Sequence, residues 1–172
     1  MPKSVYNNVQ DHRMLDSSDI IEDVTSIELP TISHPSTEVN AAGMTGAIDM
    51  PDMFKVEAMS YSIAHNNGLN GTILSEPRVH MQEVRVVRQK YDTALGQIVP
   101  VSLKVRLTGM PKSINKGSIE SGNPYGSTVE YSCTRFEEEQ EGRIVTLIDI
   151  MMPERYIWNG VNYYQDYSGM LD

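Results

Sequence analysis

The feature that most constrains this fold is a strict alternation of apolar and polar side chains over residues 98–108. The apolar set is Val99, Val101, Leu103, Val105 and Leu107, and the polar set is Ser102, Lys104, Arg106 and Thr108. Successive side chains of a β-strand point to opposite faces, so a period of two predicts a strand with one buried face. A Val- and Arg-rich run over residues 79–91 predicts its partner, and a turn at residues 92–97 joins the two as a long antiparallel hairpin.

The rest of the chain also favours β-structure. Further strands are predicted at residues 24–29, 54–63, 128–136 and 143–150. Residues 109–126, rich in Gly, Ser, Pro and Asn, predict a loop, and the acidic run at 137–142 predicts a charged hairpin turn. Helical periodicity is weak, and residues 65–76 are interpreted as a loop with at most one helical turn. We therefore expect a mainly β fold of about seven strands, a sandwich or a barrel.

Charge and cysteine content exclude several classes of protein. The 172 residues carry 14 Lys and Arg against 23 Asp and Glu, a net charge of −9, which argues against tight phosphate binding as the main function. The single cysteine, Cys133, rules out an intrachain disulfide. No apolar run is long enough to cross a membrane, and the polar first eight residues do not resemble a signal peptide. One domain with extensions, made in the cytoplasm, is expected.

Few residues are candidates for chemistry. The histidines are isolated from one another and show no metal-ligand spacing: His12, His34, His65 and His80. Cys133 is expected to be a buried apolar residue rather than a nucleophile. Ser113 and Lys116 match S-x-x-K but lie in a predicted loop without the helix start that this motif needs. We expect no catalytic residues, no cofactor and no metal site.

Two surfaces remain open to interpretation. The only basic grouping is Arg85, Arg88, Lys104 and Arg106. These side chains lie on the two arms of the predicted long hairpin, where cross-strand pairing with acidic neighbours is the simplest interpretation. The tyrosine-rich end of the chain, from Tyr156 to Tyr167, is either a packing strip or an interface, because aromatic residues serve both purposes.

Residues 34–50 are poor in bulky core-forming side chains and carry Gly43 and Gly46 near their middle. This composition predicts an extended, hairpin-like excursion with a flexible tip.

Two blocks of the sequence resemble a known family. Residues 29–49 read LPTISHPSTEVNAAGMTGAID, and residues 126–149 read GSTVEYSCTRFEEEQEGRIVTLID; NGVN follows at residues 159–162. In this order and spacing, over roughly residues 20–165, they resemble the major tail tube proteins of contractile-tailed phages, a family shared with R-type bacteriocins. Ala42 stands where the family usually has a second glycine.

The resemblance implies a fold and an assembly. The fold is mainly β, with two packed antiparallel sheets forming a tail-tube sandwich or barrel, a short helix near residues 64–78, and long hairpin loops. Hexameric rings stack into a tube inside a contractile sheath in the virion tail. Four strands per subunit would form a barrel of about 24 strands, roughly 37 Å across the backbone and wide enough for duplex DNA. Expected partners are the sheath, baseplate, tail terminator and tape measure proteins and duplex DNA, with no membrane insertion and no enzymatic activity.

The resemblance also suggests regions and residues. It implies an N-terminal arm at residues 1–20, a tube domain at 21–165 with an inter-ring loop at 34–50, and a tail at 166–172. The residues expected at the inter-ring interface are Thr37, Glu38, Asn40, Ala41, Ala42, Gly43, Met44, Thr45 and Gly46. The candidates for the wall of the bore are Glu83, Arg85, Lys104, Arg106 and Glu130. The basic side chains among them are expected to pair with Glu83 or Glu130, or to face a neighbouring subunit.

Two alternatives stay open at this point. One is the tube of a type VI-like secretion machine or of an R-type bacteriocin particle. The other is a monomeric β-barrel that acts as a binding module or a small hydrolase, for which Ser113 and Lys116 are the only candidate residues.

Overall fold

The computed structural model describes residues 4–66 and 69–170, and these form twelve β-strands and two short helices. The strands are β1 (Ser4–Asp16), β2 (Asp19–Ile21), β3 (Val24–Glu28), β4 (Ser36–Val39), β5 (Ile48–Pro51), β6 (Met59–Asn66), β7 (His80–Asp92), β8 (Gln97–Asn115), β9 (Gly126–Gln140), β10 (Arg143–Asp149), β11 (Tyr156–Trp158) and β12 (Val161–Asn162). The helices are α1 (Leu69–Leu74) and α2 (Tyr164–Ser168). The expectation of a mainly β, antiparallel fold with a short helix is confirmed.

The strands form two layers that share β8 and β9. The larger layer runs in the order β12, β11, β10, β9, β8, β7, β1, β2. The first half of β9 pairs with β6, which pairs with β3, whereas the second half of β9 pairs with β10. β8 accompanies β9 through both halves. The described strands do not close into a barrel, and β4 and β5 form a separate hairpin.

Gly109 marks the point where β8 passes from one layer to the other. The register between β8 and β9 shifts between Thr108 and Gly109. A Cβ atom at position 109 would lie 2.6 Å from the carbonyl oxygen of Ser132 and 2.9 Å from a ring carbon of Tyr61. Glycine is needed here because any side chain would collide with a backbone group and with the core ring beneath it.

The core between the layers is centred on two tyrosines. The rings of Tyr61 and Tyr131 stack with centroids 4.8 Å apart and planes 7° apart. The Tyr61 hydroxyl donates to Gln82 Oε1 at 2.8 Å, and the Tyr131 hydroxyl donates to the carbonyl oxygen of Leu74 at 2.5 Å. Burial raises the pKa of both hydroxyls, which therefore remain protonated donors. These two bonds tie the second layer to β7 and to α1.

The end of β1 enters the core through a buried polar pair. Asp16 Oδ2 lies 2.5 Å from His80 Nδ1, and His80 Nε2 lies 2.9 Å from the carbonyl oxygen of Glu76. Neither side chain is exposed. Arg78 and Gln82 each lie 3.4 Å from the Asp16 carboxylate. Met14 and Asp16 are buried, so the second half of the segment expected to form an N-terminal arm contributes side chains to the core.

Several predicted boundaries were wrong. The predicted strand over 54–63 begins only at Met59, and residues 109–126 are not one loop, because β8 continues to Asn115. Most of the predicted acidic turn belongs to β9, and the turn itself is Glu141 and Gly142, both with positive φ. The count of about seven strands was too low. β1 is exposed over most of its length and shows no regular alternation, and five other strands have only two to four residues: β2, β4, β5, β11 and β12. The helical turn expected within 65–76 is α1; residues 67 and 68 lie outside the described residues.

Gly109→Ala tests the passage between the layers. The added methyl group must displace the backbone of β9 or the Tyr61 ring, so we expect a loss of about 1–3 kcal/mol in the free energy of unfolding. Urea denaturation measures it. The matched control is Gly46→Ala, where the added Cβ has no heavy atom within 4 Å. Equal stability of both variants would contradict this account of Gly109.

Asp16→Ala tests the buried pair. Removing the carboxylate leaves the His80 ring with an unsatisfied buried nitrogen, which costs about 1–3 kcal/mol. The control is Asp19→Ala, an exposed carboxylate at the other end of the same turn. If the urea midpoint falls equally for Asp16→Ala and Asp19→Ala, or falls for neither, the Asp16–His80 pair does not anchor β1 to the core.

Candidate assembly surfaces

One face of the β7–β8–β9 sheet carries a continuous set of charges. Glu83 lies directly opposite Arg106, and Arg85 lies opposite Lys104. Across the next strand boundary, Arg106 faces Glu137 and Lys104 faces Glu139. The strand alternation that buries Val105 and Leu107 on one side therefore places these charges together on the other side.

Arg106 is the centre of this set. Its Nε donates to Glu83 Oε2 at 2.9 Å, its Nη2 to Glu139 Oε2 at 3.1 Å, and its Nη1 to Glu137. Arg135 Nη2 donates to the second oxygen of Glu137 at 2.6 Å. The Glu137 side chain is only 5% exposed, so it needs both guanidinium groups to balance its charge.

The ion pairs on this face shift the pKa values of Glu83 and Arg106. Burial of Glu83 opposes its charged form, but hydrogen bonds from Arg85 and Arg106 outweigh burial and lower the pKa of its carboxyl group. The hydrogen bond to Glu83 is the largest cause that raises the pKa of Arg106, and Glu137 adds to it against the opposing effect of burial. Both side chains remain ionised over the whole neutral range.

The structure brings together four of the five residues predicted for the bore. Glu83, Arg85, Lys104 and Arg106 share this face, and the expected pairing with Glu83 is present for Arg85 and Arg106. Glu130 lies in the other layer, where its carboxylate pairs with Lys112 at 3.4 Å and accepts from Ser113.

Arg88 does not join this group. Arg88 comes three residues after Arg85 on β7, so the two side chains lie on opposite faces of the sheet. The guanidinium carbon of Arg88 is 5.0 Å from the centre of the Tyr6 ring. The sequence analysis did not place Arg135, Glu137 and Glu139 on the charged face. Their spacing of two residues is typical of side chains on one face of a strand and could have predicted it.

The β4–β5 hairpin is the second surface. Thr37 pairs with Met50, Glu38 with Asp49, and Val39 with Ile48. Every residue of both strands is exposed. The nine residues predicted for the inter-ring interface all belong to this hairpin: Thr37 and Glu38 lie in β4, and 40–46 lie in the loop that joins the strands. The predicted excursion is therefore a hairpin that projects from the body of the subunit.

The two glycines of the hairpin loop differ in backbone conformation. Gly43 has a φ of +95°, which favours glycine, whereas no positive φ is found at Gly46. No heavy atom of the described residues lies within 4 Å of a Cβ built at either position. Larger side chains at these sites would therefore meet open space in the isolated subunit.

The tyrosine-rich end packs at the root of this hairpin. The rings of Phe54 and Tyr167 stack with centroids 4.9 Å apart, and the Tyr156 hydroxyl donates to the carbonyl oxygen of Met53 at 2.6 Å. Tyr163 and Tyr167 remain 46% and 42% exposed. This segment serves as a packing strip and leaves an aromatic surface beside the hairpin.

The residues considered for chemistry do not form a reactive site. The Ser113 hydroxyl donates to Glu130, not to Lys116. Burial raises the pKa of the Cys133 thiol to about 12, so the thiolate is strongly disfavoured. Within residues 4–66 and 69–170, no group of three or more His, Cys, Asp or Glu side chains is arranged to hold a metal ion. Neither described helix is long and apolar enough to cross a membrane.

Glu83→Gln tests the charged face through its pH dependence. Because pairing lowers the pKa of Glu83, its contribution to stability is complete above the ordinary pKa of a glutamate and is lost as the pH falls through the lower pKa of the fold. We expect the wild-type protein to lose more stability on acidification than Glu83→Gln, measured by urea midpoints across an acid series. Glu57→Gln, at an exposed carboxylate, is the control and should follow the wild type.

Comparisons with known proteins identify the family and the fold of the chain. The model of the family described as phage tail tube protein FII matches residues 12–170. No curated protein sequence matches the chain at a significant level.

Two solved structures share the fold. A chain from the sheath/tube terminator of PVC, an extracellular contractile injection system in the extended state, is 14% identical, with a TM-score of 0.52 over 77% of this chain and 96% of that chain. A chain from the PVC sheath-tube complex is 12% identical, with a TM-score of 0.51 over 75% of this chain and 88% of that chain.

The family model covers the charged sheet face and the whole of the projecting hairpin, and it confirms the resemblance seen in the two sequence blocks. The chain therefore belongs to the phage tail tube protein FII family and is a structural tube protein of tail-like assemblies rather than an enzyme.

Proposed function

We propose that this chain is the repeating subunit of the inner tube of a contractile tail, in which hexameric rings stack into a hollow conduit. The observation that carries the proposal is the β4–β5 hairpin, both of whose strands are exposed at every residue in the isolated subunit. An isolated two-stranded hairpin is marginally stable in water, so a second surface has to complete it.

Ring closure uses the free edge of the larger layer. β2 pairs only with the last three residues of β1, so the outer edge of residues 4–13 meets no described strand. An open edge of this length invites another strand, and a ring in which every edge pairs with its neighbour removes the hazard of aggregation. Four strands from each of six subunits form a barrel of about 24 strands, roughly 37 Å across.

The charged face of β7, β8 and β9 is proposed to line the bore, with Glu83, Arg85, Lys104 and Arg106 on its surface and Glu130 in the adjoining layer. Cations and carboxylates on this face neutralise each other through the Arg106 contacts. Because the paired charges have a weak external field, and the whole chain carries a charge of −9, a passing duplex would not adhere to the wall.

The proposed partners follow from a tube of this kind. A contractile sheath surrounds it, a baseplate and a tail terminator meet its two ends, and a tape measure protein and duplex DNA occupy its bore. Because ring stacking is a contact that does not close on itself, another protein has to set the length of the tube.

A second candidate is the same tube in a particle without a genome, such as an R-type bacteriocin or a type VI-like machine. It is favoured by the fold shared with chains of an extracellular contractile injection system. Nucleic acid extracted from purified particles distinguishes the two, since a conduit for a genome belongs to particles that contain one.

Negative-stain electron microscopy of the concentrated protein, with light scattering, tests the proposal. We expect rings or hollow tubes with a bore wide enough for duplex DNA. A protein that stays monomeric even when mixed with baseplates from its own particle would contradict the tube assignment.

Gly46→Val tests the inter-ring role of the hairpin loop. The side chain meets open space in the free subunit, so stability should change by less than about 0.5 kcal/mol. In the stacked tube the loop lies against the next ring, and we expect tubes to be lost while rings persist. Ser121→Val, at an exposed position of the loop between β8 and β9, is the control for added bulk. If Gly46→Val forms normal tubes, the hairpin loop is not part of the inter-ring interface.

A further inference from the structure

A buried pair of titratable side chains joins three segments of the chain. Asp16 is the last residue of β1, His80 is the first residue of β7, and Glu76 lies between α1 and β7. Both nitrogens of the His80 ring are engaged: Nδ1 lies 2.5 Å from Asp16 Oδ2, and Nε2 lies 2.9 Å from the carbonyl oxygen of Glu76. Neither side chain of the pair is exposed, so bulk solvent does not reach either contact.

The two contacts of the ring need two hydrogens. A backbone carbonyl oxygen only accepts, so Nε2 of His80 must carry a hydrogen for its contact with Glu76. The Nδ1 contact needs a second hydrogen, which lies on the ring if Asp16 is ionised and on the carboxyl group if Asp16 is neutral. In either arrangement the pair holds one proton more than a neutral imidazole beside an ionised carboxylate.

The surroundings of Asp16 place this proton on the ring. The Ser17 hydroxyl donates to Asp16 Oδ1 at 3.2 Å, and nitrogens of Arg78 and Gln82 each lie 3.4 Å from a carboxylate oxygen. Three donors around a carboxylate favour its ionised form. Asp16 is therefore the anion, and His80 the imidazolium, of a buried ion pair.

The other titratable groups around the ring are balanced or neutral. Arg78 donates to the Glu76 carboxylate at 2.7 Å, so the second cation near the pair has a carboxylate of its own. Tyr131 lies edge-on to the His80 ring with centroids 5.5 Å apart, and Tyr61 stacks on Tyr131. Burial raises the pKa of both tyrosine hydroxyls, so neither carries a charge in the neutral range. The proton on the ring is what balances the buried carboxylate.

We infer that the Asp16–His80 pair retains this proton in the folded subunit and acts as a proton-dependent latch between β1 and β7. Without the proton, either Nδ1 and Oδ2 face each other with two lone pairs, or Nε2 has no hydrogen for the Glu76 carbonyl oxygen. A buried acceptor that loses its donor destabilises the fold. The latch belongs to the single subunit and is independent of the proposed tube.

The direction of the pH dependence follows from the number of protons bound. In the unfolded chain, a free imidazole has a pKa of about 6.5 and is mostly neutral above it. Below about pH 6.5 both states hold the proton, and the contribution of the pair to stability is complete. Above it the folded pair keeps the proton and unfolding releases it, so stability declines as the pH rises. One released proton increases the equilibrium constant for unfolding about tenfold per pH unit.

Urea unfolding at steps between about pH 7 and 8 tests the latch. Across this range, we expect the equilibrium constant for unfolding to rise about fivefold to tenfold more in the wild type than in His80→Gln, because a glutamine amide does not titrate. His12→Gln is the matched control and should follow the wild type, since the His12 ring, on β1, makes no hydrogen bond or ion pair with any described residue. Burial raises the pKa of the Cys133 thiol to about 12, and stopping at about pH 8 limits its ionisation in the unfolded chain.

Nitrogen NMR of the wild-type protein with 15N-labelled histidine tests the proton without a variant. We expect the ring in contact with Tyr131 to carry a hydrogen on both nitrogens at about pH 7.5, where a free imidazole is mostly neutral. A His80 ring with a single hydrogen at that pH would overturn the inference. So would an equilibrium constant that depends on pH equally in the wild type and in His80→Gln. Neither result would change the tube assignment, which electron microscopy tests separately.

Discussion

The architecture depends on two strands that belong to both layers at once. β8 and β9 run through the larger layer, shift register near Gly109, and continue beside β6 in the second layer. The absence of a side chain at Gly109 lets the Tyr61 ring lie against the turning backbone, where it stacks on Tyr131. Because the same strands carry the charged face and the core, the position of one layer determines the position of the other.

The charged side chains of the main sheet are paired with opposite charges, whereas the carboxylates of the projecting hairpin are not. On the body, Arg106 and Arg135 enclose the buried Glu137, and the pairs hold the sheet face in one arrangement. On the hairpin, Glu38 and Asp49 lie opposite each other, and no cation among the described residues pairs with either of them. The sheet face is stable in the isolated subunit, whereas the hairpin is stabilised only when a neighbouring subunit covers it. A tube subunit needs a surface of the second kind, because binding of the neighbour then stabilises the assembly.

The sequence predicted those parts of the fold that depend on local pattern. The strand at 98–108 was found because the apolar side chains on one of its faces are buried, as Val105 and Leu107 are, or half-buried, as Leu103 is. Its continuation to Asn115 was missed because residues 112–115 are exposed on both faces, so apolar and polar side chains no longer alternate there. The acidic strand at 137–140 was missed because its compensating cation, Arg106, is distant in sequence. The Asp16–His80 pair joins residues 64 positions apart and leaves no local signal.

Amide hydrogen exchange, compared between the free subunit and the assembled protein, tests the central claim most directly. The account predicts that amides of the β4–β5 hairpin and of the free edge of β1 exchange quickly in the subunit and become protected on assembly, while the core around Tyr61 and Tyr131 stays protected in both states. An assembled protein in which the hairpin and the β1 edge exchange as quickly as in the free subunit would contradict it.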